Sequence, residues 1–582
     1  MNKEWSLDEI YKGLDDPGYE ADFAALEGAI DTLAAKARQG GNMDQAPDVE
    51  ALLLAWDEVV RLSYRIGVYL NLRQSVNTED GDIMAQQARL RRLFAKSAPA
   101  ESAVKKLLAT IPDVEAVAAE SELVRSFAFL LKENKEEAKH LFSDEVEEMI
   151  SSMNMTGGAA WSQLSSYLTS TVPVSYRDGK VTLPEIRNMA YSPDREVRKD
   201  AYEAELAAYE KIEDAMAFSL NHIKAQVTML CEKRGYESPL AMTLDQAKMS
   251  RETLDAMLGA IREYLPVFHR YLRKKGELLG HKNGLPWYEL FAPLGEGERS
   301  FTPQEAKEYL SQTFEAFSPD MAEMMREAFE HSWIDFYPRK GKEGGAFCAG
   351  VIFLKQSRIL TNFDGSFNAV RTLAHELGHA YHNRQLEEVR TLNYGYPMPV
   401  AETASTFNEI HLSRNALKTA EGGERLALLE SDLMDMTQSI VDIYSRYLFE
   451  TEVFDRGRDK FLMASDLKAI MADAQRKAYG DGLDEKFLHP YMWACKSHYY
   501  SEELSFYNFP YAFGLLFATG LYSLFLKEGK AFVPKYKAML NATACCRVEE
   551  AGALMGLDLT KKEFWKEGLA QIADLTEEFC RM

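Results

Sequence analysis

Arg371-Thr372-Leu373-Ala374-His375-Glu376-Leu377-Gly378-His379-Ala380-Tyr381-His382 holds the pattern His-Glu-x-x-His, and that pattern makes chemical sense on a helix. One helical turn separates His375 from His379, so both imidazoles leave the same face and can reach one ion. Glu376 points about a hundred degrees around the axis. It therefore stands beside such an ion rather than on it, where a carboxylate can take a proton from bound water. The flanks agree with a helix. Ser366 or Asn368 can cap its start, and Ala369, Leu373, Ala374, Leu377, Ala380 and Tyr381 fit its turns.

A catalytic zinc needs a third protein ligand and an open position. The extended pattern with glycine and a third histidine is excluded, because positions 382 and 385 are His382 and Gln385. Downstream glutamates are the alternative: Glu387, Glu388, Glu402 or Glu409. The first two follow too closely to fold back from the same or the next turn. Glu402 opens Glu402-Thr403-Ala404-Ser405-Thr406-Phe407-Asn408-Glu409, a second helix that can lie against the first and present Glu402 to the ion. Glu409 falls on almost the same face, either as a partner orienting a ligand histidine or as a structural acid. His382 is expected to pack beside the helix, and the histidines at 140, 222, 269, 281, 331, 411 and 489 have no metal spacing.

Outward from the motif, the nearest upstream stretch is strand-like. Ile334-Asp335-Phe336-Tyr337, Ala346-Phe347-Cys348-Ala349 and Ile359-Leu360-Thr361-Asn362-Phe363 are short, rich in β-formers and separated by Gly, Pro and Lys. Small residues at Gly344-Gly345-Ala346-Phe347 would let a peptide backbone approach and pair with a strand edge. Alternation on both sides of Asp178-Gly179 predicts a hairpin over Val174 to Leu183. Elsewhere apolar residues recur at three- and four-residue steps, as in Leu52, Leu53, Trp56, Val59, Val60 and Leu62. Ser192-Pro193-Asp194 with Glu196 reads as a helix start with a serine cap. The class is mainly α with a small β-sheet next to the motif helix. A helical N-terminal region over 1–185 and a second region over 186–582 are the expected units.

The chain has 582 residues, more than one compact core usually supports, so two lobes or a deep cleft are expected. Its net charge of −23 repels phosphate backbones and anionic membranes, so nucleic acid is not an expected partner. Six cysteines without CxxC spacing argue against a disulfide framework or a cysteine zinc site, and for a reducing, cytoplasmic setting. The N-terminus carries no secretory apolar region. Phe506 to Leu526 is uncharged and long enough to span a bilayer, but Asn508, Pro510, Gly514, Thr519, Gly520 and Ser523 suit a buried wall better.

Taken together, Gly344-Gly345-Ala346-Phe347, Asn362-Phe363, Thr372 to Ala380, Glu402 to Glu409 and Ser505-Phe506-Tyr507-Asn508-Phe509-Pro510-Tyr511-Ala512-Phe513-Gly514 resemble the thimet oligopeptidase family, in its oligoendopeptidase F branch. The likeness covers most of the chain from about 190 onward and the N-terminal region more diffusely. It implies a two-lobed helical metallopeptidase with a deep channel and one zinc ion held by His375, His379 and Glu402. It also implies hydrolysis of internal bonds in short peptides, with Glu376 as general base. His498 and Tyr507 match the family's oxyanion donors. The family's tyrosines stand three apart, whereas Tyr507 and Tyr511 are four apart, so Tyr511 is assigned to substrate binding with the Gly344–Phe347 segment. The rival readings are a peptidase of another His-Glu-x-x-His class and a helical peptide-binding protein with an inactive metal motif.

Overall fold

Helix starts along the chain are set by short polar side chains that satisfy the first free N–H groups. In the computed structural model, which describes residues 2–295 and 299–582, Asp80 accepts from the N–H groups of Asp82 and Ile83. Thr182 with Glu185, and Thr302 with Glu305, form reciprocal capping boxes. At Ser192-Pro193-Asp194 the cap is Asp194 rather than Ser192. Its carboxylate accepts from the Glu196 N–H, and the helix runs Arg195–Glu210 with Pro193 ahead of the cap.

Two apolar cores result. One is built on Pro17–Gln39, Ala46–Val76 and Gly81–Ala109 and gathers residues from Leu7 to Leu131, plus Val351 from far along the chain. The other runs from Val172 to Phe579. The hairpin forms as Val174–Tyr176 against Gly179–Val181. Val174 and Leu183 belong to the second core, because the hairpin packs on the helix Arg195–Glu210. The apolar helix Phe509–Glu528 is a wall of this core. It lies in Phe509–Ala542, the one stretch among the described residues long and apolar enough to cross a membrane, and 72% of that apolar window is buried inside the protein.

The sheet ahead of the motif helix has three strands in the order Ile334–Asp335, Gln356–Leu360, Phe347–Val351, the first pair parallel and the second antiparallel. Phe347–Val351 is therefore an edge. Its alternation ties the two cores together: Phe347, Ala349 and Val351 pack on the N-terminal core, while Cys348 packs on the other.

The motif helix, Phe367–Gln385, packs on Thr403–Leu417, and Gly378 makes the close approach possible. A Cβ there would sit 2.6 Å from both the Ala404 carbonyl oxygen and the Ser405 Cα. Helix propensity alone favours Gly378→Ala by about 1 kcal/mol. Overpacking against rigid backbone costs about 1–3 kcal/mol. A lowered thermal midpoint is therefore expected, read by circular dichroism on the full chain. A midpoint equal to or above the parent's would show that the helices separate at no cost.

Candidate metal centre

Ser366 accepts from the Ala369 N–H at 3.1 Å and starts the motif helix. Val370, Leu373, Ala374, Leu377 and Tyr381 are buried, which fixes the rotation of the helix and leaves His375 and His379 on the open face. Their Nε2 atoms lie 3.2 Å apart. The chain then returns through Thr391–Asn393 and Met398–Ala401, and Glu402 precedes the second helix. Its Oε2 is 3.3 Å from His375 Nε2 and 3.4 Å from His379 Nε2. Zinc–ligand bonds of about 2.0–2.1 Å in a tetrahedron place neighbouring ligand atoms about 3.3–3.4 Å apart. The three donors match that spacing, so two imidazoles and one carboxylate fit a single zinc ion. The Ser405 hydroxyl donates to Glu402 Oε2 at 2.8 Å and holds that carboxylate, while the Asn408 amide donates to the Ala374 carbonyl at 3.1 Å and ties the two helices together.

Behind the triangle runs a line of charge. His375 Nδ1 is 2.5 Å from Glu409 Oε1, and Arg371 Nε is 3.3 Å from Glu409 Oε2. Arg371 also meets Asp432 at 3.4 Å and makes a close ion pair with Asp435. A proton on Nδ1 shared with Glu409 leaves the Nε2 lone pair free for a metal. Burial disfavours charge on His375, but Glu402 and Glu409 outweigh it and raise its pKa to about 10. Burial likewise opposes charge on Glu402, and the two imidazoles nevertheless hold its carboxyl well below the usual range. A metal entering this site must displace a proton.

Glu376 is only 5% exposed, and burial raises its pKa against the pull of His375 and His379. A carboxylate shifted this way is a stronger proton acceptor. Burial, and the nearby Glu376 charge, also push up the Cys348 thiol on the edge strand.

His375, Glu402, Thr406, Glu409, Tyr511 and Leu515 line one cavity of about 370 Å³. Tyr511 is 39% exposed, and its hydroxyl lies 2.7 Å from that of Tyr507. The His498 ring stacks on Tyr507 at 5.8 Å, and its Nε2 accepts from the Asn508 amide at 2.7 Å. Burial, reinforced by Arg446, Lys496 and Lys224, holds the His498 pKa down to about 3, so the ring is neutral and carries its proton on Nδ1. Tyr511 thus stands in the cavity with the ligands, Tyr507 one hydroxyl behind it, and His498 behind Tyr507. The turn feeding this segment puts the buried Phe506 at φ 53°, a left-handed conformation that is unusual for a bulky residue.

Comparison with known proteins decides the lineage. The profile of peptidase family M3 matches residues 188–571, and that of oligopeptidase F matches 111–172. The chain belongs to peptidase family M3. This M3 chain is 24% identical over 571 residues to the oligopeptidase PepF of Bacillus subtilis, covering 96% of this chain and 84% of that protein. It is 24% identical over 590 residues to an oligoendopeptidase F homologue of Lactococcus lactis, covering 96% and 94%. Its fold matches a solved Chlamydophila abortus structure with a TM-score of 0.84 at 20% identity, covering 98% of each chain. It also matches the crystal structure of oligoendopeptidase-F from Enterococcus faecium with a TM-score of 0.70 at 20% identity, covering 97% and 98%.

At the Gly344–Phe347 segment the M3 chain differs in detail from the sequence pattern. The edge strand begins at Phe347, so Gly344, Gly345 and Ala346 form the turn ahead of it rather than the strand itself. Gly345 has φ 78°, and the Asn362 amide donates to the Glu343 and Gly345 carbonyls at 3.0 and 2.9 Å. The Tyr64 hydroxyl donates to the Gly350 carbonyl at 2.7 Å, tying the N-terminal helices to the strand. His382 lies beside the helix, 2.8 Å from the Thr543 hydroxyl and stacked on Tyr396, and burial pushes its pKa down to about 3. Sequence reasoning missed Arg371, Asp432 and Asp435. The signal for Arg371 was its place four residues before His375 on the same helix face.

Proposed function

We propose that this M3 peptidase is a zinc-dependent oligoendopeptidase that hydrolyses internal bonds of short peptides. The observation that carries this reading is the triangle of His375, His379 and Glu402 with the buried carboxylate of Glu376 beside it. When bound, zinc supplies Lewis acidity and brings the pKa of water toward about 7. Glu376 accepts the proton from the attacking water and returns it to the leaving amine. Glu409 holds His375 by Nδ1 and keeps Nε2 aimed at the ligand position. Tyr511 donates to the oxygen of the scissile carbonyl as charge develops on it, Tyr507 backs it by donating to the Tyr511 oxygen, and His498 supports Tyr507 by stacking. The peptide lies along the edge of Phe347–Val351 ahead of Gly350, whose carbonyl Tyr64 holds, with the Gly344-Gly345 turn leaving room for its backbone. Pairing of this kind reads backbone more than side chains. The six cysteines are all unpaired, which supports a reducing, cytoplasmic setting.

Product mapping on a peptide-length series tests the reading. Internal cleavage of short peptides is expected, with folded proteins spared, activity lost on chelation and recovered on adding zinc. Full turnover by protein stripped of metal would remove the metal from the mechanism and, with it, this function.

A further inference from the structure

The edge strand Phe347–Val351 has two faces, and one of them looks toward the motif helix. Cys348 lies on that face, where its Sγ accepts from the Asn383 amide at 3.8 Å. Phe347 and Ala349 point the opposite way, into a cavity of about 1230 Å³ between the strand and the helices Ala46–Val76 and Gly81–Ala109. The first helix contributes Val60 and Gly67 to its wall. The second contributes Gln87, Arg91, Phe94, Ala98, Ser102 and Lys105, at steps of three and four that mark one helix face. From 87 to 105 that face is about 27 Å long, the length of about eight extended residues. Phe94 and Leu141, two large apolar side chains on this wall, are 45% and 48% exposed. The carboxylate in it, Glu101, is taken by Trp56 Nε1 and the Ser97 hydroxyl.

Protein interiors leave few voids larger than a water molecule, and a large apolar cavity with uncovered side chains marks a binding surface. This one exceeds the usual small-molecule pocket of about 300–1,000 Å³, so it has room for more than one side chain. What covers it follows from the strand it shares. Ile359, opposite Cys348 on the neighbouring strand, turns its N–H to the Trp333 carbonyl at 2.8 Å on its other side. The Cys348 N–H and C=O therefore face the free edge, as the Gly350 carbonyl does in accepting from Tyr64. A peptide pairing there sets one residue opposite Cys348, with its side chain on the motif-helix face. The two residues flanking it then send their side chains into the cavity. We propose that this cavity is a side-chain site for the substrate, receiving two apolar or aromatic side chains that stand two residues apart in the peptide. The inference rests on the peptidase reading and the strand pairing above. It adds selectivity to a contact that by itself reads only backbone: the favoured substrates carry apolar residues at alternate positions, at a fixed distance from the scissile bond.

The test uses short peptides of alanine and serine that carry two phenylalanines, either adjacent or separated by one residue, with each cut site mapped by mass spectrometry. With the parent protein, kcat/KM is expected to favour the separated pair about tenfold, as for one more buried side chain. Phe94→Ser removes part of the apolar wall, and Ala98→Trp fills the cavity from an exposed position. In both variants the ratio should fall toward one. Equal kcat/KM for the two peptides in the parent protein overturns the proposal without reference to any variant. So does an undiminished preference in either variant. Calorimetric titration of Glu376→Gln with the same two peptides reads the preference without turnover, and equal affinities there also overturn it. Failure of the peptidase reading is seen separately, as absence of product from every peptide with the parent protein.

Discussion

Glu376→Gln is expected to lower kcat by about 10²–10⁴-fold, with bound zinc and KM close to those of the parent. Glutamine has nearly the same shape as glutamate, so a site only 5% exposed should accept it without repacking. The amide cannot take a proton from water. Glu376 is not one of the three donors in the triangle, and those donors are set by the packing of two helices rather than by its charge. Burial raises its pKa in the parent, in the direction that makes it a better base, and glutamine discards that gain along with the base itself. Steady-state kinetics together with metal analysis separate this effect from loss of the ion. Unchanged kcat in zinc-loaded Glu376→Gln would assign proton transfer to another group.

The motif helix was readable because its signals are local. The Ser366 cap, the apolar positions from Val370 to Tyr381 and the spacing of His375 and His379 all fall within Ser366–His382. Glu402 was readable at one remove, because only a helix returning after a loop could bring it back. The same holds for the strands, whose β-forming runs were placed within a few residues of the observed Ile334–Asp335, Phe347–Val351 and Gln356–Leu360. What could not be read depends on distant pairings. Arg371 joins Glu409 to Asp432 and Asp435, acids that no periodicity links to the motif. The forward position of Tyr511 depends on how Phe509–Glu528 settles against the Glu402 segment, and spacing along the chain cannot set that. Val351 belongs to the N-terminal core although its sequence neighbours suggest only a strand.

Glu402→Ala and Glu409→Gln should separate the ligand from its support. Removing Glu402 leaves two imidazoles, 3.2 Å apart at their Nε2 atoms, with no anionic donor on the third corner. Zinc is then expected to be lost on dialysis, and peptide hydrolysis should fall to background. Glu409→Gln keeps all three donors and removes only the carboxylate that accepts from His375 Nδ1. Losses of this kind cost about 10–100-fold in metal affinity, so zinc should remain bound at millimolar supply and activity should be recoverable. An amide at 409 can still accept from Nδ1, but it no longer offsets Arg371, whose positive charge then faces only Asp432 and Asp435. A zinc-competition titration on both variants gives the two affinities directly. The order Glu402→Ala weaker than Glu409→Gln, by well over tenfold, follows from one residue touching the ion and the other touching only its ligand. The reverse order would make Glu409 the third ligand and Glu402 its support, and the triangle would have to be redrawn around Nδ1 of His375.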